Sequence, residues 1–331
     1  MSKFINIRQI WHPEGYHPPG SQKAFFQGWF FKLVDREKKN ILAVIPGVFL
    51  KEKDAVSHAF IQILEGRTHQ SFYYSFPLNQ FQAARDRLNI RIGDNYFSEQ
   101  AMRLNLSEDA PEIQGKIEFG QFRPWPVRIF SPGAMGYYAF IPLLQCYHGI
   151  ISLNHSLRGE LKIGADTVTF EGGKGYIEDD WGRSFPEAYI WMQSNHFQEE
   201  GTSLAVSVAK IPWLGSHFRG FIIGLLWNGT LYRFSSYNGS QLGGLVLNEN
   251  QISFTVYNKR YQMDITAVMG SRGNLKGPSD IQIFERVSES LDATISIKLY
   301  RKKGSDKKLL YKDEGFPAGA EANGRLEVLL D

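Results

Sequence analysis

The sequence predicts an all-β protein made of two similar antiparallel units of about 160 residues each. Three observations lead there: apolar residues recur with period two, turn dipeptides punctuate the chain, and two successive hairpin-like stretches repeat at one offset. In "SLAVSVAKI" Leu204, Val206 and Val208 alternate with smaller residues, and in "ATISIKLY" Ile295, Ile297 and Leu299 alternate with Thr294, Ser296 and Lys298. Alternation of this kind buries one face of a strand. "FIIGLLWNGTLYRFSSY" breaks at Asn228-Gly229, a dipeptide that readily adopts the positive φ angles of a two-residue hairpin turn. Asn238-Gly239 punctuates the chain again shortly afterwards. Helical periodicity is scarce, and "PLNQFQAARDRL" (Pro77 to Leu88) is expected to form a turn or two at most. Many short strands with regular turns point to barrels or sandwiches.

The repeat sets the domain organisation. "FFQGWFFKLVDREKKNILAVIP" and "EAYIWMQSNHFQEEGTSLAVSVAKIP" share an aromatic strand with a central Trp, a charged turn, and an apolar strand carrying Ile-Pro. "HAFIQILEGRTHQSFYYSF" resembles "RGFIIGLLWNGTLYRFSSY" in the same way. The offsets agree: Trp29 to Trp191 (191 − 29 = 162) and Thr68 to Thr230 (230 − 68 = 162). The expected domains are 1–170 and 171–331, joined within "GADTVTFEGGKG", where Gly172, Gly173 and Gly175 cluster. The competing explanation is that antiparallel hairpins resemble one another generically.

Composition narrows the function classes. A chain of 331 residues with 43% hydrophobic residues can bury a sizeable core. The net charge of +3, from 37 basic and 34 acidic residues, is nearly balanced and shows no basic run, which argues against a nucleic-acid partner. The single cysteine, Cys146, cannot form an internal disulfide, so a reducing cytoplasm is the expected location. "MSKFINIRQIWHPEGYH" has no secretory-type apolar core, and no stretch approaches the roughly 20 apolar residues of a membrane span. "EGGKG" lacks the Lys-Ser/Thr ending of a phosphate loop, and there is no Gly-x-Ser-x-Gly elbow. The spacings of His12 with His17 and of His148 with His155 fit neither a metal-binding helix nor a zinc finger. Neither a cofactor nor a metal is expected.

The chemistry is concentrated in "GYIEDDWGRSFPEAYIWMQSNHF", Gly175 to Phe197. Three consecutive acids, Glu178, Asp179 and Asp180, stand between Tyr176 and Trp181. In an extended segment Glu178 and Asp180 point to one face and Asp179 to the other. A same-face pair of carboxylates can share one proton, with burial and the neighbouring charge raising the pKa. Alternatively, "EDDWG" is a turn in which an Asp carboxylate binds backbone N–H groups before Gly182. Trp191, Gln193 and Asn195 follow at period two and share a face; inside a barrel the amides need partners or a ligand, and outside they are solvated. The equivalent places of Trp29 and Trp191 in the repeat favour a core role for at least one of them. His17 and His148 are candidates for pocket hydrogen bonding, against the commoner fate of a satisfied core or surface histidine.

Three blocks resemble the tocopherol cyclase family, which is related to carotenoid hydratases and other tandem lipocalin-like proteins. "GYHPPGSQKAFFQGWFFKL" (Gly15 to Leu33) is similar to the family's N-terminal Gly-Tyr-His and Phe-Phe-Glu-Gly-Trp block, and "QCYHGIISLNHSLRGEL" (Gln145 to Leu161) to its middle block. Gly175 to Phe197 is similar to its signature, Glu-Lys-Asn-Trp-Gly, then Phe-Pro, then Trp-x-Gln-x-Asn-x-Phe. There are departures: Gln27 stands where the plant cyclases carry Glu, Asp179 and Asp180 replace Lys-Asn, and Arg183 and Ser184 replace Gly-Gly. The resemblance implies two lipocalin-like β-barrels packed together, with ligand chemistry in an aromatic pocket.

It also implies a reaction. A prenylated phenol or quinol is protonated at its alkene, and the phenol oxygen closes a chroman ring on the tertiary cation, without a cofactor. This isomerase-type chemistry needs an acid that holds its proton and indole faces that stabilise a cation by roughly 0.5–2 kcal/mol each. Glu178, Asp180 and Asp179 are the expected acids. Trp29, Trp181, Trp191, Tyr176, Gln193, Asn195, His17, His148 and Gln27 are the expected substrate contacts. Two other outcomes stay open: a hydratase or isomerase of a prenyl double bond, and a non-catalytic carrier of a hydrophobic small molecule. In each case the partner is an apolar small molecule, drawn in the enzyme readings from peripheral contact with a membrane.

Overall fold

The structure, a computed structural model, describes residues 7–18, 24–51, 57–107, 111–142, 144–213, 215–279 and 282–330. Residues 1–6 of the N-terminal stretch and 19–23 of the Gly15–Leu33 block lie outside the described residues. The chain divides into one compact unit of Met1–Phe185 with Asn274–Arg286, and a second of Pro186–Gly273 with Val287–Asp331.

The first unit is built on one antiparallel sheet. Its strands are β1 (Ala24–Val34), β2 (Ile41–Lys51), β3 (His58–Glu65), β4 (Ser71–Phe76), β5 (Phe81–Ala83), β6 (Asn89–Ile92), β7 (Asn95–Ser98), β8 (Ala101–Leu106), β9 (Ile113–Phe119), β10 (Cys146–Ile163), β11 (Asp166–Thr169) and β12 (Gly173–Gly182). The spatial order is β4-β3-β2-β1-β12-β10-β9-β8-β7-β6-β5, with β11 on β10. The first strand therefore pairs with the last. The two ends of the sheet, β4 and β5, are consecutive in sequence and joined through a single 3-10 turn at Leu78–Gln80. This is the connectivity of an up-and-down barrel. The stretch Pro77–Leu88 contributes that turn and then β5, and no α-helix.

The second unit repeats the rule. The strands of its sheet are β13 (Ala188–Ser194), β14 (Ser203–Trp213), β15 (Ser216–Trp227), β16 (Thr230–Ser235), β17 (Gln241–Leu247), β18 (Gln251–Tyr257), β19 (Tyr261–Val268), β20 (Gly273–Pro278), β21 (Ile283–Lys303) and β22 (Asp306–Gly324), with most of β20 and the start of β21 lying in the Asn274–Arg286 segment of the first unit. The order is β16-β15-β14-β13-β22-β21-β19-β18-β17, with β20 on β21, so first again pairs with last. Asn228 and Gly229 take φ of +46° and +69°, the left-handed conformations that the β15–β16 hairpin requires. Each barrel has its own apolar core. Trp29, Phe31, Val44, Ile63, Phe97 and Ile177 belong to the first, and Ile190, Met192, Val206, Ile223, Ile295 and Ile297 to the second. Among the described residues, no helix is long and apolar enough to cross a membrane.

Two expectations change. The division falls after Phe185 rather than at 170/171. The glycines at 173 and 175 open β12, which lies between β1 and β10, so the chain completes the first barrel before leaving it. The equivalence of Trp29 and Trp191 also fails. Phe31 pairs with Val44 in the first unit and Met192 with Val206 in the second, and all four are core residues. The second strand thus repeats at offset 162 (206 − 44), but the first at 161 (192 − 31). A one-residue slip reverses the face of every side chain in a strand. Trp29 therefore points into its barrel, whereas Trp191 lies on the face of β13 opposite Ile190 and Met192.

Candidate functional site

The acidic segment lies on β12, extended and paired on both sides, so the tight-turn alternative is excluded. Glu178 stands opposite Phe30 and Ile150, Asp179 opposite Trp29 and Gly149, Asp180 opposite Gly28 and His148, and Trp181 opposite Gln27 and Tyr147. Residues directly opposite one another share a face of the sheet. Trp29 and Ile177 are core residues, so Asp179 and Trp181 face the barrel interior. Tyr176, Glu178, Asp180 and His148 share the other face.

On that other face several ionisable groups converge, and the buried Lys32 stands opposite Tyr176 on it. The Tyr176 hydroxyl donates to Glu178 Oε2 at 2.5 Å. His148 Nδ1 lies 3.0 Å from Asp180 Oδ1, and His148 Nε2 lies 3.8 Å from Glu178 Oε2. Burial opposes charging of the imidazole, but the Asp180 and Glu178 carboxylates override it and raise the His148 pKa to about 9. The His148 ring, set between the two acids, therefore favours its protonated form. The two same-face acids are bridged by an imidazole contributed by β10. Burial and then the Glu178 charge push the Tyr176 phenol well up, so it stays a donor. Burial and the charges of Asp180 and Asp179 likewise push up the thiol of Cys146, whose Sγ lies 3.9 Å from Asp180 Oδ1. Tyr176, Glu178 and His148 are buried, while Asp180 keeps 29% of its side chain exposed. One ligand atom each of His148, Glu178 and Asp180 lies within 4.8 Å of the others. That spacing suits a divalent cation in place of the proton.

The inner face carries a different arrangement. Asp179 is fully buried, and burial, followed by the Asp180 charge, drives its pKa well above the ordinary carboxyl value. Asp179, on the inner face, is therefore a raised acid. Its Oδ2 accepts from Gln27 Nε2 at 3.0 Å, and its Oδ1 is buried without a hydrogen-bond partner. Gly149 makes room for that oxygen, since a Cβ there would collide with it. Gln27 also donates to the Gly15 carbonyl at 2.9 Å and accepts from the His17 N–H at 2.8 Å, and Trp29 Nε1 donates to the Glu14 carbonyl at 3.2 Å. These bonds clasp the Glu14–His17 segment onto β1. The His17 ring stacks on Trp181 at 4.1 Å and 6°, with Tyr147 parallel on Trp181 at 5.5 Å. Burial lowers the His17 pKa to about 4, so this is a neutral stack and not a cation–π contact.

The sequence candidates of the first unit thus divide between two faces of one strand and its neighbours. Trp191, Gln193 and Asn195 belong to the second unit, where all three are buried, the first two on β13 and Asn195 just beyond its end. Tyr147, Gly149 and Glu14 were not among the sequence candidates. The first two flank His148 in a block that was quoted for its resemblance, while nothing local to Glu14 signals its carbonyl bond to Trp29. His155 is a buried histidine whose Nδ1 lies 3.0 Å from Ser152 Oγ while its Nε2 has no hydrogen-bond partner among the described residues, and burial lowers its pKa to about 3.

Comparisons with known proteins agree with this architecture. The chain is 22% identical over 277 residues to the chloroplastic tocopherol cyclase counterpart of Oryza sativa subsp. japonica, covering 68% of this chain and 59% of that protein. It is 19% identical over 279 residues to the chloroplastic tocopherol cyclase of Zea mays, covering 68% and 58%. The chain therefore spans less than two thirds of the length of the curated relatives it matches. Among solved structures, an AttH protein of Nitrosomonas europaea superposes with a TM-score of 0.53 at 11% identity, over 93% of this chain and 94% of that one. CghA with Sch210972 gives 0.53 at 9% identity over 91% and 89%, and kievitone hydratase from Nectria haematococca gives 0.50 at 9% over 92% and 89%. At such identities the structural likeness establishes the tandem lipocalin-like fold alone. The family model described as tocopherol cyclase-like matches residues 123–324, more than half of the 331 residues and inclusive of β10, β12 and β13. The chain belongs to the tocopherol cyclase-like family.

Proposed function

We propose that this protein catalyses a proton-initiated isomerisation of a prenylated phenol or quinol, closing it to a chromanol without a cofactor. The observation that carries the reading is the buried imidazole of His148 set between Glu178 and Asp180, with Tyr176 bonded to Glu178. A cyclisation of this kind takes up one proton at the alkene carbon and releases one from the phenol, so its catalyst must both give and receive a proton. The cluster has one mobile proton and two carboxylates to do this.

The proton on His148 passes to Glu178 and from there to the alkene carbon, breaking the π bond and leaving a tertiary cation. The phenol oxygen bonds to that cation, and its proton returns through Asp180, the exposed member, to His148. Atoms and charge balance, and the cluster ends as it began. The high His148 pKa keeps the proton loaded at neutral pH, and the Tyr176 hydrogen bond holds Glu178 in place.

Hydration shares the first step and differs only in that water captures the cation. A carrier would bind the same apolar tail without turnover. The test is a set of single variants. Glu178→Gln and His148→Gln should each lower turnover of a prenylated hydroquinone by about 10² or more, the usual scale for a general acid, while binding of the apolar tail is retained. Wild-type turnover unaltered in both cluster variants would refute this assignment, and tight binding with no wild-type turnover would establish the carrier.

A further inference from the structure

Exposed apolar side chains of the described residues concentrate in the segment between β9 and β10. Arg128 and Ser131 close a two-residue turn through reciprocal backbone bonds of 3.1 Å, which puts Ile129 and Phe130 at its apex, 70% and 84% exposed. Val127, Tyr137 and Phe140 are exposed in the same segment. Trp11 ties the apex to the rest: its Nε1 donates to the Ile129 carbonyl at 3.1 Å, and its ring meets Phe140 edge-on at 5.6 Å. Trp125, buried at the base, and the buried Ala134 and Met135 hold the segment on the barrel. Single exposed apolar residues are ordinary, but a group of them presented by a braced loop marks an interaction surface.

Along the segment itself the formal charge has one sign. No Asp or Glu occurs between Glu118 and Glu160, whereas the exposed Arg123 and Arg128 flank the apex. We propose that this loop docks the protein onto an anionic lipid bilayer, with Ile129 and Phe130 entering the interface and Arg123 and Arg128 meeting the headgroups. Aromatic side chains favour the boundary between headgroups and acyl chains, and basic residues are drawn to the surface potential of anionic lipid. A projecting two-residue apex needs no complementary pocket in a fluid bilayer, which a protein partner would have to supply. The inference rests on the loop and not on the chemistry of the acidic cluster.

Co-sedimentation with phosphatidylcholine vesicles, with and without phosphatidylglycerol, tests it on the full chain. Wild type should bind the phosphatidylglycerol vesicles and release as salt rises. Phe130→Ser should weaken binding at least about tenfold, the effect of one aromatic side chain left out of the bilayer. An Arg123→Gln, Arg128→Gln double variant should lose its preference for phosphatidylglycerol. All three positions are exposed, so far-ultraviolet circular dichroism should be unchanged. Turnover or ligand binding in detergent should stay at the wild-type level in Phe130→Ser, which separates this test from that of the acid cluster. Failure of the wild type to sediment, or equal sedimentation of Phe130→Ser, would overturn the proposal. So would a concentration-dependent dimer that Phe130→Ser abolishes without any vesicle binding, since it would assign the apex to a second copy of the chain.

Discussion

Raising the pH should unload His148 and weaken the fold by a calculable amount. The imidazole pKa rises from 6.5 to about 9 on folding. A group whose pKa is raised in the folded state adds stability that is complete below its unfolded value, here about pH 6.5, and lost as pH climbs through the folded value. The shift corresponds to about 3 kcal/mol, a sizeable part of the 5–15 kcal/mol that holds a typical domain. The side chain is nearly fully buried, so solvent screening does not remove the effect. Urea unfolding at intervals from pH 6 to 9.5 should show the wild type losing stability on this scale. His148→Gln, neutral at every pH, should lack that component. It should also be less stable than wild type at pH 6, because Glu178 and Asp180 lose the cation between them. Contributions from Asp179 are common to both proteins and cancel in the comparison. Parallel pH profiles for wild type and His148→Gln would refute the imidazolium between the carboxylates.

Further outcomes follow from the same geometry. Asp179→Asn should be at least as stable as wild type at pH 7. The raised carboxyl favours its neutral form, its stabilising part is complete below about pH 3.8 and fades as pH rises, and an amide oxygen can still accept from Gln27; urea unfolding between pH 4 and 7 checks it. Gly149→Ala should cost about 1–3 kcal/mol in the same assay, because its methyl would collide with Asp179 Oδ1 and crowd Pro13. Zinc ion added at neutral pH should inhibit by replacing the proton on His148, chelation should restore the rate, and His148→Gln should lower the zinc affinity measured by calorimetry.

The parts of this fold that were legible in the sequence are local. Leu204, Val206 and Val208 announce a half-buried strand because the side-chain period of a strand is two, and Asn228-Gly229 announces its turn because few residues accept positive φ. The two-faced character of Glu178, Asp179 and Asp180 follows from the same period once the segment is extended. What was not legible is set across strands. Trp29 and Trp191 align in sequence yet face opposite ways, because a single residue of register separates β13 from its counterpart β1. The glycines that seemed to mark a linker begin a central strand, since pairing of β12 with β1 closes the barrel across some 150 residues of chain. His148 stands 32 positions before Asp180 and meets it only through the β10–β12 register. Asp179 is fully buried and raised, and its burial depends on Gly149 opposite it and on Gln27 from another strand.

The central claim is that the His148–Glu178–Asp180 cluster delivers a proton to an alkene carbon. Incubation of the protein with a prenylated hydroquinone in deuterium oxide, followed by mass spectrometry and retention time, tests it most directly. The account predicts a product that resists oxidation to the quinone and carries one carbon-bound deuterium, formed by wild type and reduced about 10² or more in Glu178→Gln. A product one water heavier, again with one deuterium at carbon, would keep the protonation and replace ring closure by hydration. Recovery of bound but unchanged precursor, or a ring-closed product free of deuterium at carbon, would contradict it.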